Sequence, residues 1–188
     1  MNRAGNLLLL MGSALLVWSS VVWTGTALFD WYEARELTQL KGQGAASVAP
    51  VARAAPRAHD VIGRLAIPRL HVSAVVLEGD DDAAMRFGAG HVPWTPLPAH
   101  PGNVGIAAHR DTVFRRLRDI ALRDDIQFAT PEGSFHYRVT STEIVRPQDT
   151  GVLDSSGGEE LTLVTCYPFS YIGPAPLRFI VHARRTRV

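Results

Sequence analysis

The chain has a single cysteine in 188 residues, Cys166, so it cannot staple itself with an internal disulfide. It contains no CxxC and no HxxxH pattern, which removes the common ligand spacings of a zinc site. The run Asp80-Asp81-Asp82 lacks the spacing of an EF-hand loop and reads as a helix cap in solvent. No GxGxxG and no phosphate-binding loop is present, so nothing implies a nucleotide. Basic surplus is missing too: 19 Lys and Arg against 18 Asp and Glu leave a formal charge of +1, too little for a dedicated nucleic-acid binder. Arg184, Arg185 and Arg187 cluster at the C-terminal end, where such a group reads as a solvated tail. No repeat at solenoid periods is visible. Neither a cofactor nor a resident metal is expected, with calcium dependence left open.

Apolar residues are abundant, at 46% of the chain, and unevenly spread. From Leu7 to Phe29 no charged residue occurs, and at ~1.5 Å per residue that run is long enough to cross a ~30 Å hydrocarbon core as a helix. Trp31 and Tyr32 follow it as an interfacial pair. Arg3 and the terminal amine precede the run, which orients the N-terminus toward the cytoplasm. Gly25-Thr26-Ala27 has the small residues of a cleavable secretory signal, but the run is longer than a usual signal core, which favours an uncleaved anchor. Either way the rest of the chain is exported. The expected organisation is a cytoplasmic end at 1–6, a transmembrane anchor at 7–29, a juxtamembrane segment and Ala/Gly/Pro-rich tether at 30–60, and a folded domain at 61–188.

Beyond residue 61 the chain consists of short β-type runs broken by turn residues. Seven stand out: VIGRLAIP from Val61, VSAVVLEG from Val72, GNVGIAAH from Gly102, DDIQFAT from Asp124, FHYRVTSTEIV from Phe135, ELTLVTC from Glu160 and LRFIVHA from Leu177. Gly and Pro punctuate them, as loop chemistry predicts. An antiparallel barrel or sandwich fits this texture best. Only 80–85 and 112–122 read as helical, the second with Val113, Leu117 and Ile120 at helical spacing for ordinary core packing.

Cys166 closes the apolar run from Leu161, so it sits where a strand ends. One reading is a buried small hydrophobe, the usual fate of a free cysteine; the other is a nucleophile, since an idle thiol in an oxidising compartment invites oxidation and cross-linking. A thiol with pKa near ~8.5 needs a partner to become a thiolate at neutral pH. Of seven histidines, His109 has the most suggestive frame, delivered by the small-residue run Asn103–Ala108 to a strand end just before Arg110-Asp111-Thr112. His59 lies in the tether, His71 follows a turn, and His136 and His182 alternate with apolar residues in cross-strand positions. Arg178 interrupts an apolar strand. It either points outward by alternation or uses its fixed charge to hold a carbonyl or oxyanion.

Taken in order along the chain, these segments resemble the sortases, membrane-anchored cysteine transpeptidases of bacteria, and most of all class D. Thr162-Leu163-Val164-Thr165-Cys166 is similar to the family's TLxTC signature, Ala107-Ala108-His109-Arg110-Asp111-Thr112 to its histidine segment, and Gly88-Ala89-Gly90-His91-Val92-Pro93 to a stretch upstream. Ala175-Pro176-Leu177-Arg178-Phe179-Ile180-Val181 matches the arginine strand, with Leu177 standing where relatives often place a basic residue. The resemblance runs from about Val61 to Ala183 and implies a mainly β fold, a sortase-type barrel of about eight strands with short helices, preceded by one transmembrane helix. By resemblance Cys166 is the nucleophile, His109 the acid/base partner and Arg178 the group that orients substrate and stabilises the oxyanion. Thr165 and Asp111, beside them, are assigned to substrate binding, and His91 to a structural role.

The implied chemistry is attack of the Cys166 thiolate on the Thr carbonyl of an LPxT-type sorting motif, then transfer of the acyl group to an amine. Expected partners are a surface or pilin protein carrying that motif, an amine acceptor such as a peptidoglycan precursor or a pilin lysine, and the membrane through the N-terminal helix, with no nucleic acid. The expected location is the cell membrane, single-pass, with the catalytic domain on the extracytoplasmic side. A sortase-like hydrolase and a silent, tethered peptide-binding module are the alternatives.

Overall fold

Apolar residues at period two build eight strands between Val61 and Thr186: β1 (Val61–Ile67), β2 (Val72–Glu78), β3 (Ala89–His91), β4 (Gly102–Ala107), β5 (Asp125–Thr130), β6 (Gly133–Val145), β7 (Glu159–Tyr167) and β8 (Leu177–Thr186). The computed structural model describes residues 55–186; the expected cytoplasmic end, the anchor at 7–29 and the tether up to residue 54 lie outside them. Each of the seven runs singled out above forms a strand. The eighth, β3, is three residues long, too short for any periodicity to show. Its glycine is needed for a close backbone approach: a Cβ on Gly90 would lie 2.1 Å from the Gly79 carbonyl oxygen.

The strands close into a barrel in the order β1-β2-β3-β4-β7-β8-β6-β5, with β5 returning to β1. The expectation of an antiparallel sheet requires one correction. β2 with β3 and β4 with β7 pair in parallel, while the other neighbours are antiparallel. A parallel pair needs a long crossover, and the chain from residue 108 to 158, with β5 and β6 within it, supplies that between β4 and β7. β6 is the longest strand; it pairs with β5 through its first half and with β8 from His136 onward, and a register shift between Val139 and Ser141 bends it round the barrel.

Inward-pointing side chains alternate as the pattern requires: Leu65 and Ile67, Val76, Ile126 and Phe128, Leu161 and Leu163 are fully buried. Each such side chain contributes on the order of 1.5–3 kcal/mol by leaving water. β4 differs because both of its faces are covered, with Asn103, Val104, Gly105 and Ile106 all buried, as is typical of parallel strands. The segment Thr150–Leu153, a turn of 3-10 helix, lies over its outer face, with Leu153 crowding Gly105.

The two helical expectations hold with shifts. α1 (Asp82–Phe87) starts two residues later than read because Asp81 is its N-cap, its carboxylate accepting from the Ala84 N–H at 2.9 Å. Val113–Asp119 is a 3-10 helix. Its period of three puts Phe114 and Leu117 on one fully buried edge, with Val113 and Ile120 packed at the border of the core. Below it, the Arg69 guanidinium grips the Asp124 carboxylate through Nε and Nη2. That hydrogen-bonded pair, together with the Ala121 N–H, holds the Asp124 carboxyl below the ordinary carboxylate range against the opposing effect of burial.

Candidate active site

The parallel pairing of β4 with β7 carries both strand ends to the same rim. Their register runs from Gly102 opposite Glu159 to Ala107 opposite Val164. Two bonds extend it further: the Ala108 N–H donates to the Val164 carbonyl at 3.2 Å and the Thr165 hydroxyl donates to the Ala108 carbonyl at 2.8 Å. One step beyond, His109 comes level with Cys166. On the other side of β7, the antiparallel ladder with β8 sets Cys166 directly opposite Arg178. Three residues from three neighbouring strands thus form one row, with a strand-to-strand spacing of about 4.8 Å.

Alternation also puts them on one face. Val104, Ile106 and Ala108 of the β4 segment, Leu161, Leu163 and Thr165 of β7, and Val181 and Ala183 of β8 point into the core. His109, Cys166 and Arg178 have the opposite parity and emerge on the outer side of the barrel. All three are half-buried, reachable from solvent yet walled by their neighbours. Arg178 spends one nitrogen on the chain: Nη1 donates to the carbonyls of Leu177 at 3.0 Å and Ala175 at 3.2 Å. Its Nε and Nη2 have no protein acceptor among the described residues, so two donors remain for a ligand oxygen. Tyr167, Phe169 and Phe179 pack against one another beside Cys166, with ring centroids 5.3 to 6.3 Å apart, and brace the end of β7.

The other residues assigned from sequence fall in different places. Thr165 is buried, and its hydroxyl is committed to Ala108, so it holds the backbone that carries His109 and faces away from the open side of the row. Asp111 is exposed in the turn after His109, with no protein partner among the described residues. That turn is closed by the Thr112 N–H and hydroxyl on the His109 carbonyl, at 3.4 and 3.2 Å. His91 is buried, with Nδ1 at 2.8 Å from the Glu78 carboxylate and Nε2 at 3.2 Å from the Pro96 carbonyl, tying β2 to the β3–β4 connection. His182 reaches across to β6, with Nε2 at 2.9 Å from Glu143.

One cluster escaped the sequence reading. Asn103 Nδ2 donates to the Val152 and Asp154 carbonyls at 3.2 and 3.3 Å, which orients its amide and turns Oδ1 toward the Thr162 hydroxyl, 2.8 Å away. Thr162 donates there and so accepts from His182 Nδ1 at 3.1 Å. This line fastens the β6–β7 connection over the strands that lead to His109 and Cys166. Its only signal in the sequence is a polar residue at alternate positions of two otherwise buried strands, Asn103 and Thr162. Among the described residues no three His, Cys, Asp or Glu side chains gather as a metal site.

Chemically, the row combines a thiol, an imidazole able to pass a proton, and a guanidinium with free donors, on the rim of a rigid barrel. A family model described as the sortase domain matches residues 65–186, well over half of the chain. The chain is similar to Sortase D of Bacillus subtilis, 36% identical over 131 residues that span 69% of this chain and 66% of that protein, and to Sortase A of Bacillus anthracis, 28% identical over 63% and 58% respectively. It thus spans just under two thirds or less of the length of these curated relatives. Among solved structures, a Clostridium perfringens Sortase D5 transpeptidase superposes with a TM-score of 0.64 at 28% identity, covering 70% of this chain and 82% of that one. Sortase A from Corynebacterium diphtheriae superposes with a TM-score of 0.65 at 27% identity, covering 69% and 62%. With an eight-stranded closed barrel of this kind and a matching domain over residues 65–186, and with class D members among its relatives in both sequence and structure, the chain belongs to the sortase family.

Proposed function

We propose that this chain is a membrane-anchored cysteine transpeptidase that cleaves an LPxT-type sorting motif and transfers the acyl group to an amine of the cell envelope or of a pilin. The observation that carries this reading is the register that aligns His109, Cys166 and Arg178 in one row on one face. The Cys166 thiolate attacks the carbonyl carbon of the motif's threonine, and the oxyanion that develops is met by the free Arg178 donors. His109 gives a proton to the departing amine as the C–N bond breaks, leaving a thioester on Cys166. The acceptor amine, losing its proton to His109, attacks that thioester; the C–S bond breaks and the thiolate returns. Because both steps need thiol and imidazole in matched protonation states, the rate passes through a maximum with pH. The segment at 7–29 holds the domain at the extracytoplasmic face of the cell membrane, and 30–60 sets its reach.

The test is to incubate the full-length chain with a panel of sorting peptides and read the intact mass. An adduct on the protein equal to the N-terminal acyl fragment is expected, absent in C166A. Adding an amine nucleophile converts the released acid into the amide. An unchanged product in the presence of amine assigns the chain to peptide hydrolysis, and peptide binding without any adduct on the wild type overturns the enzymatic reading.

A further inference from the structure

Within the connection between β7 and β8, residues 168–176, Phe169 packs against the core and against the Tyr167 and Phe179 rings, but the part beyond it is held by almost no burial. Ser170 to Pro174 are exposed, and Ile172 is 95% exposed at the tip. Beyond Phe169, what fixes this loop is two guanidinium groups. Arg110 Nη2 donates to the carbonyls of Tyr171 at 2.7 Å and Gly173 at 2.8 Å, and its planar head lies 5.8 Å from the centroid of the Tyr171 ring. Arg178 Nη1 donates to Ala175 and Leu177 at the loop's far end. Apart from these, the loop has among the described residues one backbone hydrogen bond of its own, from the Tyr171 N–H to the Pro168 carbonyl at 3.2 Å.

Both arginines are attached to the row of Cys166. Arg110 is the residue after His109, so any pull on its side chain acts on the turn that carries the imidazole. Arg178 stands opposite Cys166 in the ladder. Hydrogen bonds to backbone carbonyls are directional, unlike apolar burial, so they set the loop at a defined distance from the two strand ends. The clasp is also poised to open. Arg110 Nη1 is buried with no acceptor among the described residues, and a desolvated donor left unpaired opposes the closed state. When the loop moves, that nitrogen regains water.

We propose that Arg110 is a positioning residue that couples the β7–β8 loop to His109, so that a peptide lodging against the loop adjusts the imidazole over Cys166. This rests on the transpeptidase reading for its meaning in catalysis, but the mechanical coupling does not depend on it. Arg110 touches no reacting atom; it acts through the loop and through its own backbone.

The test uses the full-length chain in detergent micelles, as wild type, R110Q and R110K, followed by amide hydrogen exchange, thermal melting and steady-state kinetics on sorting peptides. Arg110 lies at the rim, outside the hydrophobic cluster, so both variants are expected to melt within a few degrees of wild type. In R110Q, exchange rises about tenfold or more in both 169–176 and 108–112, because local opening is governed by the bonds that close it. The same variant loses about tenfold or more in kcat with a smaller change in KM, the pattern of a misplaced catalytic group. Since one nitrogen spans both carbonyls, an ammonium can take part of its place, and R110K falls between wild type and R110Q in both readouts. Wild-type exchange at 108–112 in R110Q, or a kcat within twofold of wild type, overturns the proposal. A wild type that turns over no sorting peptide defeats the transpeptidase reading instead, and the exchange measurements still decide the clasp. Should R110Q fail to fold, R110K decides alone: raised exchange in both segments supports the coupling, and unchanged exchange ends it.

Discussion

Replacing Thr165 with Val isolates the bond that carries the register of β7 onto His109. Thr165 is 2% exposed and its hydroxyl donates to the Ala108 carbonyl at 2.8 Å, with Ala108 itself 4% exposed. Valine keeps the shape and removes the donor, so a buried carbonyl loses its partner at a cost of about 1–3 kcal/mol. For a domain of this size that corresponds to a fall in Tm of roughly 3–10 °C. The local effect exceeds the global one, because the freed carbonyl belongs to the peptide unit that enters His109. A displacement of the imidazole by about 1 Å suffices to slow acylation by up to ~10²-fold. T165S is the control: it retains the hydroxyl and loses one buried methyl, at about 1 kcal/mol. The two variants are therefore expected to melt close together, by circular dichroism, yet to differ at least about tenfold in the rate of acyl-enzyme formation followed by intact mass. Equal acylation rates in T165V and T165S refute the idea that this hydroxyl positions His109.

Three further outcomes follow from the scaffold. The Asp124 carboxyl is held low by its hydrogen bonds from Arg69 and Ala121, so its stabilising effect is complete above the ordinary carboxylate range and fades as pH falls below about 4; the melting temperature of D124N is expected to drop less in acid than that of wild type. Tyr137 is 2% exposed and burial pushes its phenol up to about 12. Its neutral form therefore favours the fold below about pH 10, and roughly 2–3 kcal/mol is lost as pH rises from there through 12; Y137F is expected to lack that alkaline decline in a denaturant series. Removing the imidazole in H91A leaves the buried Glu78 carboxyl without its partner at 2.8 Å, which costs about 3 kcal/mol or more, read as a fall in Tm near 10 °C, and a variant that melts like wild type rejects a structural role for His91.

Much of the barrel was legible because its strands obey a local rule. The alternation of Ile126 and Phe128 with Asp125, Gln127 and Ala129, or of Phe135, Tyr137 and Val139 with His136, Arg138 and Thr140, records on which side the core lies, and no distant residue is needed to read it. β3 was not legible as a strand, since Ala89-Gly90-His91 owes its conformation to the partners on either side and to the close approach of Gly79 at Gly90. The 3-10 character of Val113–Asp119 was equally hidden, because the spacing of Val113, Leu117 and Ile120 suits an α-helix while the contacts of Phe114 and Leu117 select the tighter winding. The Asn103–Thr162–His182 line joins residues 59 and 20 positions apart, and only the packing of β4, β7 and β8 side by side makes them neighbours.

By itself the sequence determined the chemical kinds available and their local frames: one thiol at the end of a strand, an imidazole at the end of another, a guanidinium inside a third, and the ordered motifs that mark the family. Whether those groups meet was decided by pairing. Were β4 and β7 antiparallel, as the turn-rich texture suggested, their C-terminal ends would lie at opposite rims and His109 would be a strand's length from Cys166. The parallel register, made possible by the long excursion through β5 and β6, carries both ends to the same rim. That is a property of two segments more than fifty residues apart, set by hydrogen bonds between their backbones, and no local pattern of side chains encodes it.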